Sequence, residues 1–290
     1  MTMHTRRDFT AGLGVGAAAL AAWPATAASA PGVIGDDTTL RDVIENGPRA
    51  AADKARDRYR HPYESLRFWG LGPGMTVTDV APGTGWWTDI LAPYLARTGG
   101  RYIAAMADLT DPKVSDGARK ARAAFEAKYG ADRKFYGNVT TAGFGLHSGP
   151  LAPPGTVDLV LVSREIHDWA VVDGYTEKAF ADFHAALKPG GVLAVEDHRA
   201  PDSWDPKKLT GYISEAYVIG EGKRAGFALA ARSEINANPK DTKDHPFGVW
   251  TLPPTRRSAP PGQPPNPAFD HAKYDAIGES DRMTLKLVKA

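Results

Sequence analysis

Two short stretches concentrate groups able to move protons or bind cations: His167–Asp168 in "IHDW" and Asp197–His198 in "VEDHRAP". A third, "VTDVAPGTGWW" over Val77–Trp87, combines a carboxylate at Asp79 with Gly83 and Gly85. Histidine beside aspartate serves three chemistries: acid–base catalysis, ligation of a divalent metal, or capping of loops. An aspartate followed by a glycine-punctuated turn suits a ligand whose backbone or phosphate must approach the main chain closely, or simply a tight strand-to-helix turn. These alternatives stay open on the residues alone.

The elements that carry these groups follow from the apolar pattern. Met75–Val80 is short, apolar and β-branched, and reads as a buried strand; Trp86, Trp87, Ile90, Leu91, Tyr94 and Leu95 repeat at helical spacing behind it. Further strands are expected at Arg101–Met106, Lys134–Val139, Thr156–Ser163 and Val192–His198, with helices over 116–129 and 175–187. Strands alternating with helices predict a doubly wound, mostly parallel α/β sheet. "GFALAARSEI" and the terminal "RMTLKLVKA" add two strands after a helical stretch around 209–225. Because strands four and five are neighbours in such a sheet, His167–Asp168 and Asp197–His198 should converge at its carboxyl edge. Two helices between Leu40 and Trp69, broken at Pro62, are expected to cap the domain, with the basic face of Lys54–Arg60 solvated. Seven prolines in the fifteen residues from Pro253 to Pro267 predict an extended surface loop, read as a spacer.

The first residues differ in kind. Arg6 and Arg7, an apolar run from Ala11 to Trp23 and "ATA" at Ala25–Ala27 resemble a twin-arginine export signal, too short to span a bilayer. The expected organisation is therefore a signal over 1–27, a linker and helical cap over 28–70, and the main domain over 71–290. The translocation machinery would be a partner, the destination the periplasm, and stable membrane insertion is not expected. The chain carries 35 Lys and Arg against 34 Asp and Glu. Residues 1–27 hold two of the former and one of the latter, so the remainder is balanced, which disfavours nucleic acid as a substrate. Cysteine is absent, which excludes disulfides, thiolate metal sites and cysteine nucleophiles.

The pattern Asp79, Ala81, Gly83, Gly85 resembles the first motif of class I S-adenosylmethionine-dependent methyltransferases, and "LKPGG" at Leu187–Gly191 resembles a second hallmark of that superfamily. "RYRHPYESLRFWGLGPGMTV", "GWWTDILAPYL", "IHDW" and "VEDHRAP" are similar to an exported branch of predicted methyltransferases. The resemblance implies a seven-stranded Rossmann-like sheet whose last strand is antiparallel, S-adenosyl-L-methionine as cofactor, and methyl transfer to a small-molecule acceptor. It implies Asp79 and the loop Ala81–Gly85 at the cofactor's amino-acid end, and Asn138, closing the third strand, at the adenine amine. Where relatives end the second strand with an acid for the ribose hydroxyls, Met106 stands here; Asp108, two residues on, is the residue placed to substitute. His167, Asp168 and His198 are the candidate catalytic groups, and no metal is assigned. Tyr59, His61, Tyr63, Trp86, Trp87 and Trp169 could line an aromatic-friendly pocket, though for each alone ordinary packing is the expectation. The alternative is a non-catalytic periplasmic binding protein retaining the fold. A nicotinamide dehydrogenase fits poorly, because Thr88 occupies the third glycine position of the dinucleotide fingerprint.

Overall fold

The computed structural model describes residues 35–290, so the export signal expected over 1–27 lies outside the described residues. Four short helices come first: α1 (Thr38–Asn46), α2 (Ala51–Lys54), α3 (Asp57–Arg60) and α4 (Pro62–Trp69). There follow β1 (Thr76–Val80), α5 (Thr88–Thr98), β2 (Arg101–Ala107), α6 (Asp116–Ala131), α7 (Arg133–Tyr136) and β3 (Val139–Phe144). The second half runs β4 (Val157–Ser163), α8 (Ile166–Trp169), α9 (Tyr175–Ala186), β5 (Leu187–His198), α10 (Glu215–Arg224) and β6 (Phe227–Ser233). It closes with β7 (Pro246–Val249), α11 (Ala272–Ile277) and β8 (Arg282–Lys289). Seven strands form one sheet in the order β3-β2-β1-β4-β5-β8-β6. The first five are mutually parallel and β8 runs antiparallel between β5 and β6. Among the described residues no helix is long and apolar enough to cross a membrane.

Period-two alternation explains why β4 reads as an unbroken apolar run. Leu159 and Leu161 enter the layer beneath α1, α4, α5 and α6, whereas Val160 and Val162 enter the layer beneath α8, α9 and α10. Both faces are covered, so both sets must be apolar. Trp69 anchors the helical cap: it is fully buried, and its Nε1 donates to the Leu285 carbonyl at 3.0 Å.

Three expectations need correction. The third strand is not Lys134–Val139. Asp132 caps a single helical turn there by accepting from the Phe135 amide (3.1 Å), and Gly137, at φ +71°, ends it. The real β3 is an edge strand, polar and half-exposed, so its periodicity is weak. Asn138 therefore precedes β3, exposed on the amino edge and opposite the carboxyl ends where a doubly wound sheet binds ligands; it does not join the site. The basic face of α3 is not simply solvated. Arg60 is 1% exposed and stacks 4.7 Å over Trp86, and a carboxylate more than two hundred residues away, Glu279, accepts from it and from Arg56. The proline-rich segment is more than a spacer, because Pro253, Pro254 and Thr255 wall a cavity.

Candidate functional site

The carboxyl ends of β1, β4 and β5 deliver the site. Beyond β1, Ala81 (φ +50°), Gly83 (φ +60°) and Gly85 (φ +96°) all adopt left-handed backbone. Ala81 carries a Cβ in that left-handed conformation, with strain on the order of 1–2 kcal/mol. Arg164, directly after β4, is strained in the same way at φ +62°. The two glycines differ in purpose. A Cβ on Gly83 would meet nothing within 4 Å, so the loop leaves an open cradle there. A Cβ on Gly85 would come within 1.7 Å of the Tyr129 hydroxyl, which donates to the Gly85 carbonyl. Gly85 is thus demanded by packing, which corrects the expectation that it clears space for a ligand.

Asp79 is buried at the end of β1, where its Oδ2 accepts from the Tyr102 hydroxyl at 2.8 Å. Burial raises its pKa to about 7, against the smaller opposing effects of Tyr102 and Arg164. Asp108 follows β2 directly, but its Oδ1 closes a turn by accepting from the Thr110 amide and hydroxyl (2.9 and 2.8 Å). Met106 and Ala107, rather than Asp108, wall a cavity of about 590 Å³ with Gly83, Thr84 and the Ala121–Phe125 face of α6.

His167 sits on α8, a single turn whose own N-cap residue, Glu165, offers no side-chain cap. Asp197, at the end of β5 and wholly buried, supplies it instead. Its Oδ2 accepts from the Ile166 amide (2.9 Å) and the His167 amide (3.4 Å). Its Oδ1 accepts from His167 Nδ1 (2.7 Å) and from the His198 amide (2.8 Å). An ionised carboxylate only accepts, so Nδ1 carries the proton and the neutral His167 ring keeps its lone pair on Nε2. The His198 ring lies 5.1 Å from that of His167, with Nδ1 at 2.5 Å from Ser280 Oγ. Asp168 does not enter the buried cluster: its side chain is 56% exposed, and Oδ1 stands 3.7 Å from His167 Nε2.

Electrostatics separate the two imidazoles. Burial works to lower His167, but the Asp197 carboxylate, with Asp168 and Glu165 behind it, holds the pKa above the ordinary 6.5. Burial, then the charges of His167, Arg164 and Arg282, push His198 well below that value, so it is neutral at pH 7. Two neighbouring imidazoles with opposed shifts are an arrangement able to divide proton-transfer work. His167, Asp197 and His198 each offer an atom within a 4.8 Å cluster, a spacing compatible with a metal. Asp197, however, already accepts four N–H groups, which leaves little lone-pair capacity for a cation.

Three cavities meet at Glu165. The 590 Å³ cavity adjoins one of about 170 Å³ around Asp79, Ala81–Thr84, Trp86 and Trp87. The third, about 320 Å³, is lined by His167, Asp168, His198 and Ser280, with Trp250 and Pro253–Thr255 opposite. Glu165 borders all three, and Arg56, Arg60 and Arg164 border the last two. Burial, the leading cause, raises the Glu165 carboxyl to about 8, so it is uncharged at neutral pH. Of the aromatic residues singled out, Trp86 and Trp87 reach a cavity wall. Trp169 packs on Phe144 and Tyr175, Tyr63 donates to Asp36, and His61 pairs with Asn236, so these three are structural. Tyr59 lines none of the three cavities, and its backbone carbonyl accepts from Arg282. Sequence reasoning missed Arg56, Arg60, Arg164, Glu165 and Ser280. For Arg164 and Glu165 the visible signal was "SREIHDW", in which a charged pair sits between a strand and a helix.

No protein-family model and no curated protein matches the chain. Solved structures do. A SAM-dependent methyltransferase from Aquifex aeolicus is 18% identical, over 88% of this chain and 100% of that one, at a TM-score of 0.49. The (4+2)-cyclase SpnF is 17% identical, over 87% and 92%, at 0.50. The CurJ carbon methyltransferase is 12% identical, over 87% and 57%, at 0.49. At such identities the likeness is one of fold. The strand order and the antiparallel β8 define a seven-stranded, mostly parallel Rossmann-like sheet.

Proposed function

We propose that the protein is an S-adenosylmethionine-dependent methyltransferase acting on a small molecule whose accepting atom carries a proton. The observation that carries this reading is the continuity of the cavities: Glu165 joins a glycine-loop seat to a histidine-lined seat. The residues fit the cofactor. Gly83 leaves an uncovered cradle, Asp79 places a buried carboxyl where an ammonium group can be held, and the apolar face of α6 suits a flat base. When bound, the cofactor supplies an electrophilic methyl group. The chain's own part is to orient the acceptor, exclude water and remove a proton. His167 Nε2 receives that proton, and Asp197 stabilises the imidazolium so formed. His198, neutral, offers the acceptor a second hydrogen-bonding partner. Asp168 stands at the rim, where its charge supports a cationic His167.

The test is calorimetry with S-adenosylhomocysteine. Binding should strengthen as pH rises through about 7, because Asp79 must ionise to hold the ammonium group. Gly83→Val should weaken it by roughly tenfold or more by filling the cradle at a backbone angle that valine resists. No heat of binding to the wild type at millimolar ligand would overturn the assignment.

We also propose that residues 1–27 direct the protein to the periplasm by the twin-arginine route. A reporter fused behind residues 1–35 should be exported, and Arg6→Lys with Arg7→Lys should stop it. Undiminished export of the double variant would refute the assignment.

A further inference from the structure

The partition between the glycine-loop seat and the histidine seat is built from guanidinium groups. Arg56 Nε and Arg60 Nε donate to Glu279 at 2.6 and 3.0 Å, and Arg282 Nη1 reaches the same carboxylate at 3.1 Å. Three cations thus share one anion. Arg282 turns also to Glu196 (2.8 Å), from which Arg164 Nη1 stands 4.0 Å away. Glu196 is engaged a third time, accepting from Ser163 Oγ at 2.8 Å. Four guanidinium groups therefore lean on Glu279 and Glu196; the Asp79 and Glu165 carboxyls that border the same cavities are both raised by burial, and Asp168 lies out at the rim.

Unmet hydrogen bonds occur on both sides of this network, for Glu196 Oε1 also lacks a hydrogen-bond partner. Arg60 Nη1 and Arg164 Nη1 are both buried and lack an acceptor. A buried charged donor without a partner is costly, and a ligand or an ordered water completes it. Both residues border the histidine-lined cavity as well as the loop-side one. The histidine-lined cavity also offers an apolar wall, Trp250 with Pro253 and Pro254, and the Trp250 ring lies 6.2 Å from that of His167.

We infer that the methyl acceptor carries a carboxylate, seated against Arg60 and Arg164, while its accepting atom faces His167 and its apolar body lies on Trp250. The inference rests on the methyl-transfer reading for the word acceptor; the carboxylate seat itself rests on the arginines. A guanidinium pair favours a planar carboxylate through charge-assisted and bidentate bonding, and a neutral amide of the same shape forfeits that.

The test uses 4-hydroxybenzoate and its neutral counterpart 4-hydroxybenzamide, titrated into protein saturated with S-adenosylhomocysteine. The acid should bind at least about tenfold more tightly than the amide. Arg164→Gln, again with S-adenosylhomocysteine at saturation because Arg164 also borders the loop-side cavity, should shrink the ratio to about threefold or less. Arg60→Gln should do the same if its melting temperature holds; Arg164, less buried, decides the matter if it does not. Equal binding of acid and amide overturns the inference. So does acid binding that vanishes once S-adenosylhomocysteine is present, since the seat would then belong to the cofactor's own carboxylate. Failure of S-adenosylhomocysteine to bind at all removes the methyl-transfer reading instead, and the same pair titrated into the protein alone still decides whether the arginines hold a carboxylate.

Discussion

His167→Ala should lower turnover by roughly 10²- to 10⁴-fold, the range that a positioned general base contributes, while S-adenosylhomocysteine binds almost as before. The separation is expected because His167 lines the 320 Å³ cavity beside Trp250 and Ser280, whereas the loop Ala81–Thr84 lines the other two. The pH profile gives an independent reading. Nε2 accepts a proton only when the ring is neutral, and Asp197 holds the His167 pKa above 6.5. With S-adenosylmethionine saturating, wild-type kcat/KM for the acceptor should therefore rise with pH through a value above that of an ordinary histidine, and the alanine variant should lose this limb. A variant with full turnover, or one whose cofactor affinity falls in step with turnover, would assign His167 to structure.

Asp197→Asn should be nearly as damaging, for a different reason. An asparagine can present its amide N–H to Nδ1, which would force the proton onto Nε2 and leave no base facing the cavity. The carboxylate that raises the His167 pKa would also be gone. Any residual activity should then have its acid limb at lower pH, because burial alone lowers that pKa. Stability should follow the same pair. A folded-state pKa raised above 6.5 means that the His167–Asp197 pairing contributes fully below about pH 6.5, and fades as pH rises through the folded value. Between about pH 5 and pH 9 the stability gap between wild type and Asp197→Asn should therefore narrow as pH increases. Asp197→Ala leaves four buried N–H groups without their acceptor and should cost about 3–5 kcal/mol, read in urea. An unchanged pH profile in Asp197→Asn would detach the carboxylate from the chemistry.

What the sequence alone determined was whatever depends on local pattern or on strand adjacency. The apolar run Val157–Ser163 could only be a strand covered on both faces. Asp79 ahead of a left-handed, glycine-bearing turn was legible because few backbones tolerate positive φ. The meeting of His167 with Asp197 and His198 followed from β4 and β5 being neighbours. Tertiary structure alone decided the rest. The weak edge strand β3 was masked by Phe135 and Tyr136, whose apolar side chains serve a helical turn, and this misplaced Asn138. Which aspartate orients His167 depended on the turn at α8, which sends Asp168 outward and leaves the helix end to be capped from β5. The arginines of α3 looked like a solvated face because their partner, Glu279, is brought to them only by the closing of β8 into the sheet. Long-range ion pairs leave no periodicity to read: charge complementarity across two hundred residues acts in space, and only the folded chain sets which charges remain unmatched.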